Sequence, residues 1–159
     1  MNNDLILYTN PRSRGQIALW LMEESGLKFK TEVVEFGSDF HLNGYRKINP
    51  MGKVPTLVHG EKVITEAAAI CAYIADVFPE TNLKPDQQNL ADFYRWLFFA
   101  SGPLEQAVTN NSLKIEIPKE REGMVGYGSF DKVIANLKIN LKDKKYVAGN
   151  KFSAADVYS

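Results

Sequence analysis

Residues 5–20 read Leu-Ile-Leu-Tyr-Thr-Asn-Pro-Arg-Ser-Arg-Gly-Gln-Ile-Ala-Leu-Trp. Four consecutive apolar residues, Leu5 to Tyr8, stop abruptly at Thr9-Asn10-Pro11, the pattern of a short buried strand running into a turn. A helix follows. Ser13 stands three residues before Gln16, the capping-box spacing in which the serine accepts an orphan helix amide and the glutamine reaches back. Ile17, Trp20 and Leu21 then recur on one face, and Gly26 is placed as the C-terminal stop. Lys30 to Glu35 alternates around Val33 and Val34 as a second strand. Strand, helix, strand predicts a parallel pair joined by a right-handed crossover.

The texture changes at Asn49-Pro-Met-Gly52, a turn cluster. Val54-Pro55 opens a third strand through Leu57 and Val58; proline cannot donate to a ladder, so Pro55 belongs at the strand's beginning or edge. His59-Gly60-Glu61 reads as a hairpin turn into Val63-Ile64, an antiparallel pair. Thr65 is placed to cap a helix whose apolar positions Ile70, Ile74 and Val77 face inward and which ends at Phe78-Pro79. The order is therefore βαβ, a variable stretch, then ββα. Beyond a connector at 80–86 the strand signals vanish. Leu90, Phe93, Tyr94, Leu97 and Phe98 recur at helical spacing, as do Tyr127, Phe130, Ile134, Leu137 and Leu141. Near the end, Ser153 and Asp156 form another capping box flanked by Phe152 and Val157 as a hydrophobic staple. The expected organisation is an α/β unit at 1–79, a linker at 80–86 and an all-α unit at 87–159.

The 159 residues carry 19 Lys plus Arg and 19 Asp plus Glu, a formal net charge of zero. Nucleic-acid binding rests on concentrated Lys and Arg, so this balance argues against it, and equally against a polybasic membrane patch. A 45% hydrophobic, 24% charged composition is that of a globular chain. A single cysteine, Cys71, excludes an internal disulfide and any multi-cysteine metal site. Met1-Asn2-Asn3-Asp4 leads into only four apolar residues, so neither a signal peptide nor a membrane span is expected, and the location expected by default is cytoplasmic.

Four segments, taken in order, sharpen the reading: Tyr8-Thr-Asn-Pro-Arg-Ser-Arg-Gly15, Gly52-Lys-Val-Pro-Thr-Leu-Val58, Thr65-Glu-Ala-Ala-Ala-Ile70 and Phe152-Ser-Ala-Ala-Asp156. Together they resemble the cytosolic glutathione S-transferase family over the whole chain, most nearly its Ser-dependent bacterial members. The resemblance implies a thioredoxin-like N-terminal domain that holds glutathione and an all-α C-terminal domain that supplies the pocket for a hydrophobic electrophile. It implies glutathione as co-substrate, no metal, and a homodimer.

Conjugation needs the thiolate, because a thiol with a pKa near 8.5 is a poor nucleophile. Ser13 sits at the expected N-terminus of the first helix, where backbone amides favour an anion, with Arg12 and Arg14 on either side. A plain helix cap is its other reading, and the two are compatible because a hydroxyl has one donor and two acceptor lone pairs. The resemblance implies that Ser13 stabilises the thiolate; the rival is Tyr8, where Tyr-type relatives carry a catalytic phenol.

By the same resemblance Val54-Pro55 is a cis-proline turn whose Val54 amide and carbonyl pair with the peptide backbone of glutathione. Lys53 lies at a peptide-contacting position, and His41 near the place of a basic residue for the glycyl carboxylate. Glu66 and Ala67 begin the helix that receives the γ-glutamyl end, with Ala67 standing where the family commonly has serine. Cys71 reads as small buried filler beside Ile70 and Ile74, and Trp20, Trp96, Phe98 and Phe99 as core or subunit interface. A non-catalytic binding or regulatory module on the same fold, and a glutathione-dependent peroxidase or dehalogenase, are the alternatives. The helix announced by Ser153 has only six residues after its cap, so the resemblance also implies a chain truncated at its C-terminus.

Overall fold

The computed structural model describes residues 4–159; Met1, Asn2 and Asn3, read above as the start of a chain without a leader, lie outside the described residues. Strand β1, Leu5–Thr9, alternates buried and half-buried residues. Leu5 and Leu7 point into the core while Tyr8 turns to the opposite face, the period-two consequence of a pleated strand. It runs parallel to β2, Lys30–Val33, with Ile6 opposite Lys30 and Thr9 opposite Val33. β2 ends two residues earlier than the sequence pattern suggests. It is an exposed edge strand, and Val34, rather than Val33, is buried just beyond it.

β1 also pairs antiparallel with β3, Thr56–His59, which turns through Gly60 and Glu61 into β4, Lys62–Thr65. Gly60 takes φ +60, the left-handed conformation that a tight two-residue hairpin requires. The sheet order is β2-β1-β3-β4.

Helix α1, Gly15–Ser25, follows β1, and Gly26 ends it at φ +66 with its amide donating to the Glu23 carbonyl, as expected. Two sequence expectations for α1 are corrected. Its N-cap is Arg14, not Ser13, and no side chain caps it. Its buried face is Gly15, Ala18, Leu21, Met22 and Ser25, whereas Trp20 is exposed and donates from Nε1 to Glu24 at 2.9 Å. Small residues at 15, 18 and 25 present a narrow face to the core, and the bulky indole takes the outer one.

Helix α2, Ala67–Val77, buries Ile70, Cys71 and Ile74. Thr65 does not cap it; Thr65 pairs with Thr56 in the β3–β4 ladder, and the N-cap falls to Glu66. Val77 is exposed, and the inward position at the helix end is taken by Phe78. Leu7, Leu21, Met22, Leu57, Ile70, Cys71 and Ile74, all fully buried, form the core of this unit. Truncating any one of the leucines or isoleucines to alanine costs about 2–5 kcal/mol.

The chain divides into two compact units, Met1–Lys84 and Pro85–Ser159. Among the described residues no strand occurs in the second. Its helix α3, Leu90–Phe99, passes through a single π-helical turn at Ala100–Leu104 into α4, Glu105–Ser112. Pro103 lies in that turn; it has no amide to donate, which loosens the regular ladder at that point. α5, Phe130–Leu141, is capped by Ser129, whose Oγ accepts from Lys132. It buries Val133 against Ala107 and Tyr127, while Phe130, Ile134 and Leu137 are half-buried. The short α6, Ala154–Tyr158, packs on α3, where Phe93, Trp96 and Leu97 are buried; Phe98 is exposed. Asp156 closes the expected capping box by accepting the Ser153 amide at 2.9 Å, and its other oxygen accepts the Val147 amide at 2.7 Å. Among the described residues no helix is long and apolar enough to cross a membrane.

Candidate functional site

The pairing of the strands brings four chain segments to one end of the sheet. Thr9 and Asn10 leave β1 where Val33 and Val34 leave β2, Thr56 opens β3 there, and Thr65 closes β4 there. Asn10 organises the first segment. Its Nδ2 donates to the Val34 carbonyl at 2.9 Å, its Oδ1 accepts the Arg12 amide at 2.9 Å, and its carbonyl accepts the Ser13 hydroxyl at 2.8 Å. Ser13 Oγ in turn accepts the Gly15 amide at 2.9 Å. The Asn10 turn delays the helix by one residue, which is why Ser13 satisfies a helix amide from just outside the cap. Its single proton is on Asn10.

The segment leading into β3 is a turn held from beneath. Val54–Pro55 is cis, as the family resemblance implies. Three buried side chains fix what precedes it: Tyr45 from the 3₁₀ turn Tyr45–Lys47, together with Asn49 and Thr56. Tyr45 Oη donates to the Lys53 carbonyl at 2.6 Å, and Asn49 Nδ2 donates to the same carbonyl at 2.8 Å. Asn49 Nδ2 also donates to Thr56 Oγ1 at 3.2 Å, and its Oδ1 accepts the Met51 amide at 3.1 Å. Because the phenol's proton is on Lys53, Thr56 is the donor in the 2.7 Å contact between Thr56 Oγ1 and Tyr45 Oη. The ring is closed, with every polar group paired, as a buried network must be. Burial, against the opposing pull of its Thr56 and Asn49 hydrogen bonds, raises the Tyr45 phenol above the usual tyrosine value.

His41, in the π-helical turn Phe40–Gly44, ties this loop to the one after β2. The Gly37 amide donates to its Nδ1 at 3.1 Å, so Nδ1 is the acceptor and Nε2 carries the proton that meets the Gly52 carbonyl at 2.9 Å. Gly52 sits at φ +64, where a Cβ would come within 3.1 Å of Arg46 Nε and 3.2 Å of His41 Nε2.

Between the segments lies an open cleft of about 370 Å³ lined by Arg12, Ser13, Arg14, Phe36, His41, Arg46, Met51, Gly52, Lys53 and Val54. Of the residues expected from sequence it gathers Arg12, Ser13, His41, Lys53 and Val54. Tyr8, Pro55, Glu66 and Ala67 do not line it. Tyr8 instead packs in an aromatic group, its ring centroid 5.5 Å from Tyr45 and 6.4 Å from Phe40. Burial, and secondly the Glu32 carboxylate, push its phenol above the usual tyrosine value. Glu66 and Ala67 follow Thr65, the ladder partner of Thr56, and so stand at the same sheet end as Pro55. Glu66 holds φ +67, a conformation costing on the order of 1–3 kcal/mol for a residue with a Cβ.

Sequence reasoning missed Arg46, Gly52, Phe36 and Met51 as lining, and Asn10, Tyr45, Asn49 and Thr56 as supports. Cys71 is buried as expected, and burial pushes its thiol up to about 12. Among the described residues no group of three or more His, Cys, Asp or Glu is placed to hold a metal ion.

A cleft lined by a hydroxyl, several cations and an unpaired stretch of main chain can receive an anionic peptide: among the described residues none hydrogen-bonds to the Val54 amide or carbonyl. Comparisons with known proteins point the same way. The family model for "Glutathione S-transferase, N-terminal domain" matches residues 3–76. The chain is 40% identical over 85 residues to Protein LigF of a Sphingobium species, a match covering 51% of this chain and 33% of LigF. It is 31% identical over 152 residues to Glutathione S-transferase 1 of Dianthus caryophyllus, covering 91% of this chain and 67% of that one. A solved sphingomonad glutathione S-transferase complexed with glutathione superposes with a TM-score of 0.72 at 27% identity, over 96% of this chain and 78% of that one. The chain thus spans between a third and about three quarters of the length of these relatives.

Proposed function

The chain belongs to the glutathione S-transferase family, and from that premise we propose that its cleft binds glutathione and delivers the tripeptide's sulfur, as thiolate, to a hydrophobic electrophile. The observation that carries this reading is the meeting of Ser13, Arg12, Arg46, Lys53 and the unpaired Val54 main chain in one cleft. Glutathione offers matching chemistry: two carboxylates for the cations, a peptide backbone to pair with Val54 in the manner of an added strand, and a sulfur for Ser13. Glu66, strained at the mouth of α2, receives the γ-glutamyl ammonium, and the Ala67 amide its carboxylate.

The chemical task is modest in energy. Lowering a thiol pKa by about two units takes about 2.7 kcal/mol of preferential thiolate stabilisation. One hydrogen bond from Ser13 to the charged sulfur contributes on the order of 1.5–3 kcal/mol, and nearby guanidinium and ammonium groups add to it. Proximity to the bound electrophile does the rest. Exposed Phe36 and Met51 form an apolar rim for that second substrate.

One observation favours a second reading, a glutathione-binding module without turnover: the Ser13 proton is on the Asn10 carbonyl and must leave it to meet a sulfur. Calorimetric titration with glutathione, paired with conjugation of an activated aryl halide, separates the two. Turnover that falls about 10- to 100-fold in Ser13→Ala, and stays within about twofold in Tyr8→Phe, supports the transferase. Binding without turnover selects the second reading, and a wild type that does not bind glutathione sinks both.

A further inference from the structure

Thr9 Oγ1 is the sole buried side-chain nitrogen or oxygen among the described residues that has no hydrogen-bond partner. The residue is only 3% exposed. A hydroxyl left dry and unpaired is unfavourable, and such a group in a folded chain calls for an account. Its surroundings supply one. Thr9 is the last residue of β1, four residues before Ser13, and Gly15 packs hard against it. A Cβ built on Gly15 would lie 2.2 Å from Thr9 Oγ1 and 3.0 Å from Ser13 Oγ. The two hydroxyls therefore face the same edge of Gly15, Ser13 at the wall of the cleft and Thr9 behind it, and they are not hydrogen-bonded to each other.

Ser13 Oγ gives its proton to the Asn10 carbonyl and uses one lone pair on the Gly15 amide. Its second lone pair meets no donor among the described residues, while Thr9 holds a proton with no acceptor. We propose that Thr9 is a positioning residue for Ser13: when Ser13 swings its hydroxyl from Asn10 to the sulfur of bound glutathione, the unpaired Thr9 hydroxyl closes on it, donates into the Ser13 lone pair and holds it in that orientation. The inference rests on the transferase reading of the cleft.

The exchange is physically favourable in both halves. An anionic sulfur is a stronger acceptor than a neutral carbonyl. A hydroxyl that accepts a second hydrogen bond becomes a better donor, so the Thr9 to Ser13 to sulfur chain reinforces itself. No covalent bond changes along it. Ser13 and Thr9 keep their protons, and the proton of the thiol leaves to solvent.

The test is the thiolate's ultraviolet absorption in the glutathione complex, followed against pH for wild type, Thr9→Val and Thr9→Ser, with melting temperature and glutathione affinity measured alongside. Valine keeps the shape and removes the hydroxyl. The bound thiol's midpoint is expected to rise by about half a unit or more in Thr9→Val, roughly a threefold loss of thiolate below the midpoint. Its melting temperature should be equal or higher, because an unpaired buried hydroxyl has gone, and Thr9→Ser should titrate like wild type. Should Thr9→Val not fold, Thr9→Ala is read in its place. A midpoint unmoved in the variant overturns the role of Thr9 alone; a wild type that shows no bound thiolate overturns the reading of the cleft and this inference with it.

Discussion

The Tyr45 phenol donates 2.6 Å to the main-chain carbonyl of Lys53, eight residues later in the chain. That bond shapes the turn which presents Val54, because the carbonyl it holds belongs to the residue immediately before the cis peptide. Tyr45→Phe removes the donor, leaves the Thr56 hydroxyl without its acceptor, and leaves Asn49 as the remaining grip on Lys53. The expected cost is about 1–3 kcal/mol of stability, read as the shift in urea midpoint at constant m-value. Affinity for glutathione should weaken with kcat nearly unchanged, since the phenol acts on where Val54 sits and not on the sulfur.

Gly52 is expected to be the least replaceable glycine of the cleft. An alanine there meets a strained φ of +64 and two side chains closer than most real Cβ contacts, Arg46 at 3.1 Å and His41 at 3.2 Å. Strain in the left-handed region costs roughly 1–2 kcal/mol for a residue other than glycine. Displacing His41 also breaks its hydrogen bond to the Gly52 carbonyl. Gly52→Ala should therefore lower glutathione affinity more than Met51→Ala, which alters an exposed neighbour; titration calorimetry of the two variants makes the comparison.

The features legible in the sequence are those whose physics is local. Gly26, Gly60 and the pair Ser153 and Asp156 each do what their neighbours in the chain require, and each appears as expected. Thr65 reads as a cap but is none, because its partner, Thr56, lies across a hairpin, and ladder pairing outcompetes a cap that propensity alone would favour. Ser13 is displaced from the N-cap by Asn10, whose side chain bonds the Arg12 amide and the Val34 carbonyl at once; the second of those partners is invisible until the sheet forms. Asn49 and Thr56 stand in segments the sequence singles out, but neither they nor Tyr45 announce their role, which is to converge around one carbonyl: Tyr45 and Asn49 on it, and Thr56 on both of them. Arg46 leaves no signal beyond its place three residues before Asn49.

Cys71 gives the pH dependence of stability a definite sign. Burial pushes its thiol from an ordinary value of 9.0 to about 12 in the folded chain. Between those values the folded state holds the proton and the unfolded state releases it, so unfolding loses a proton and stability falls as pH rises. The contribution is fully present below pH 9 and disappears at about 1.4 kcal/mol per pH unit as pH climbs toward the folded value. Cys71→Ala should lose some stability at neutral pH to a small cavity but show a shallower alkaline decline than wild type, measured by urea unfolding at successive pH values. Native Cys71 should likewise resist alkylation at neutral pH, because its thiolate is scarce and buried.

Gly15 and Thr9 are expected to be coupled, and the coupling separates stability from chemistry. In the first turn of a helix an alanine ordinarily stabilises relative to glycine by up to about 1 kcal/mol. Here its methyl would lie 2.2 Å from Thr9 Oγ1, so Gly15→Ala should instead destabilise by about 1–3 kcal/mol, the usual range for overpacking. Removing the obstructing oxygen with Thr9→Ala should relieve much of that penalty, giving an interaction energy of about 1 kcal/mol or more in the double-mutant cycle. Relief is expected for folding only. The same methyl would stand 3.0 Å from Ser13 Oγ and from the Asn10 amide whether or not Thr9 is present. Ser13 must therefore still shift, and glutathione conjugation in the double variant should stay well below wild type even where its urea midpoint recovers. A double variant that regains stability and full turnover together would show that Ser13 tolerates the displacement, and would remove it as the group that holds the sulfur.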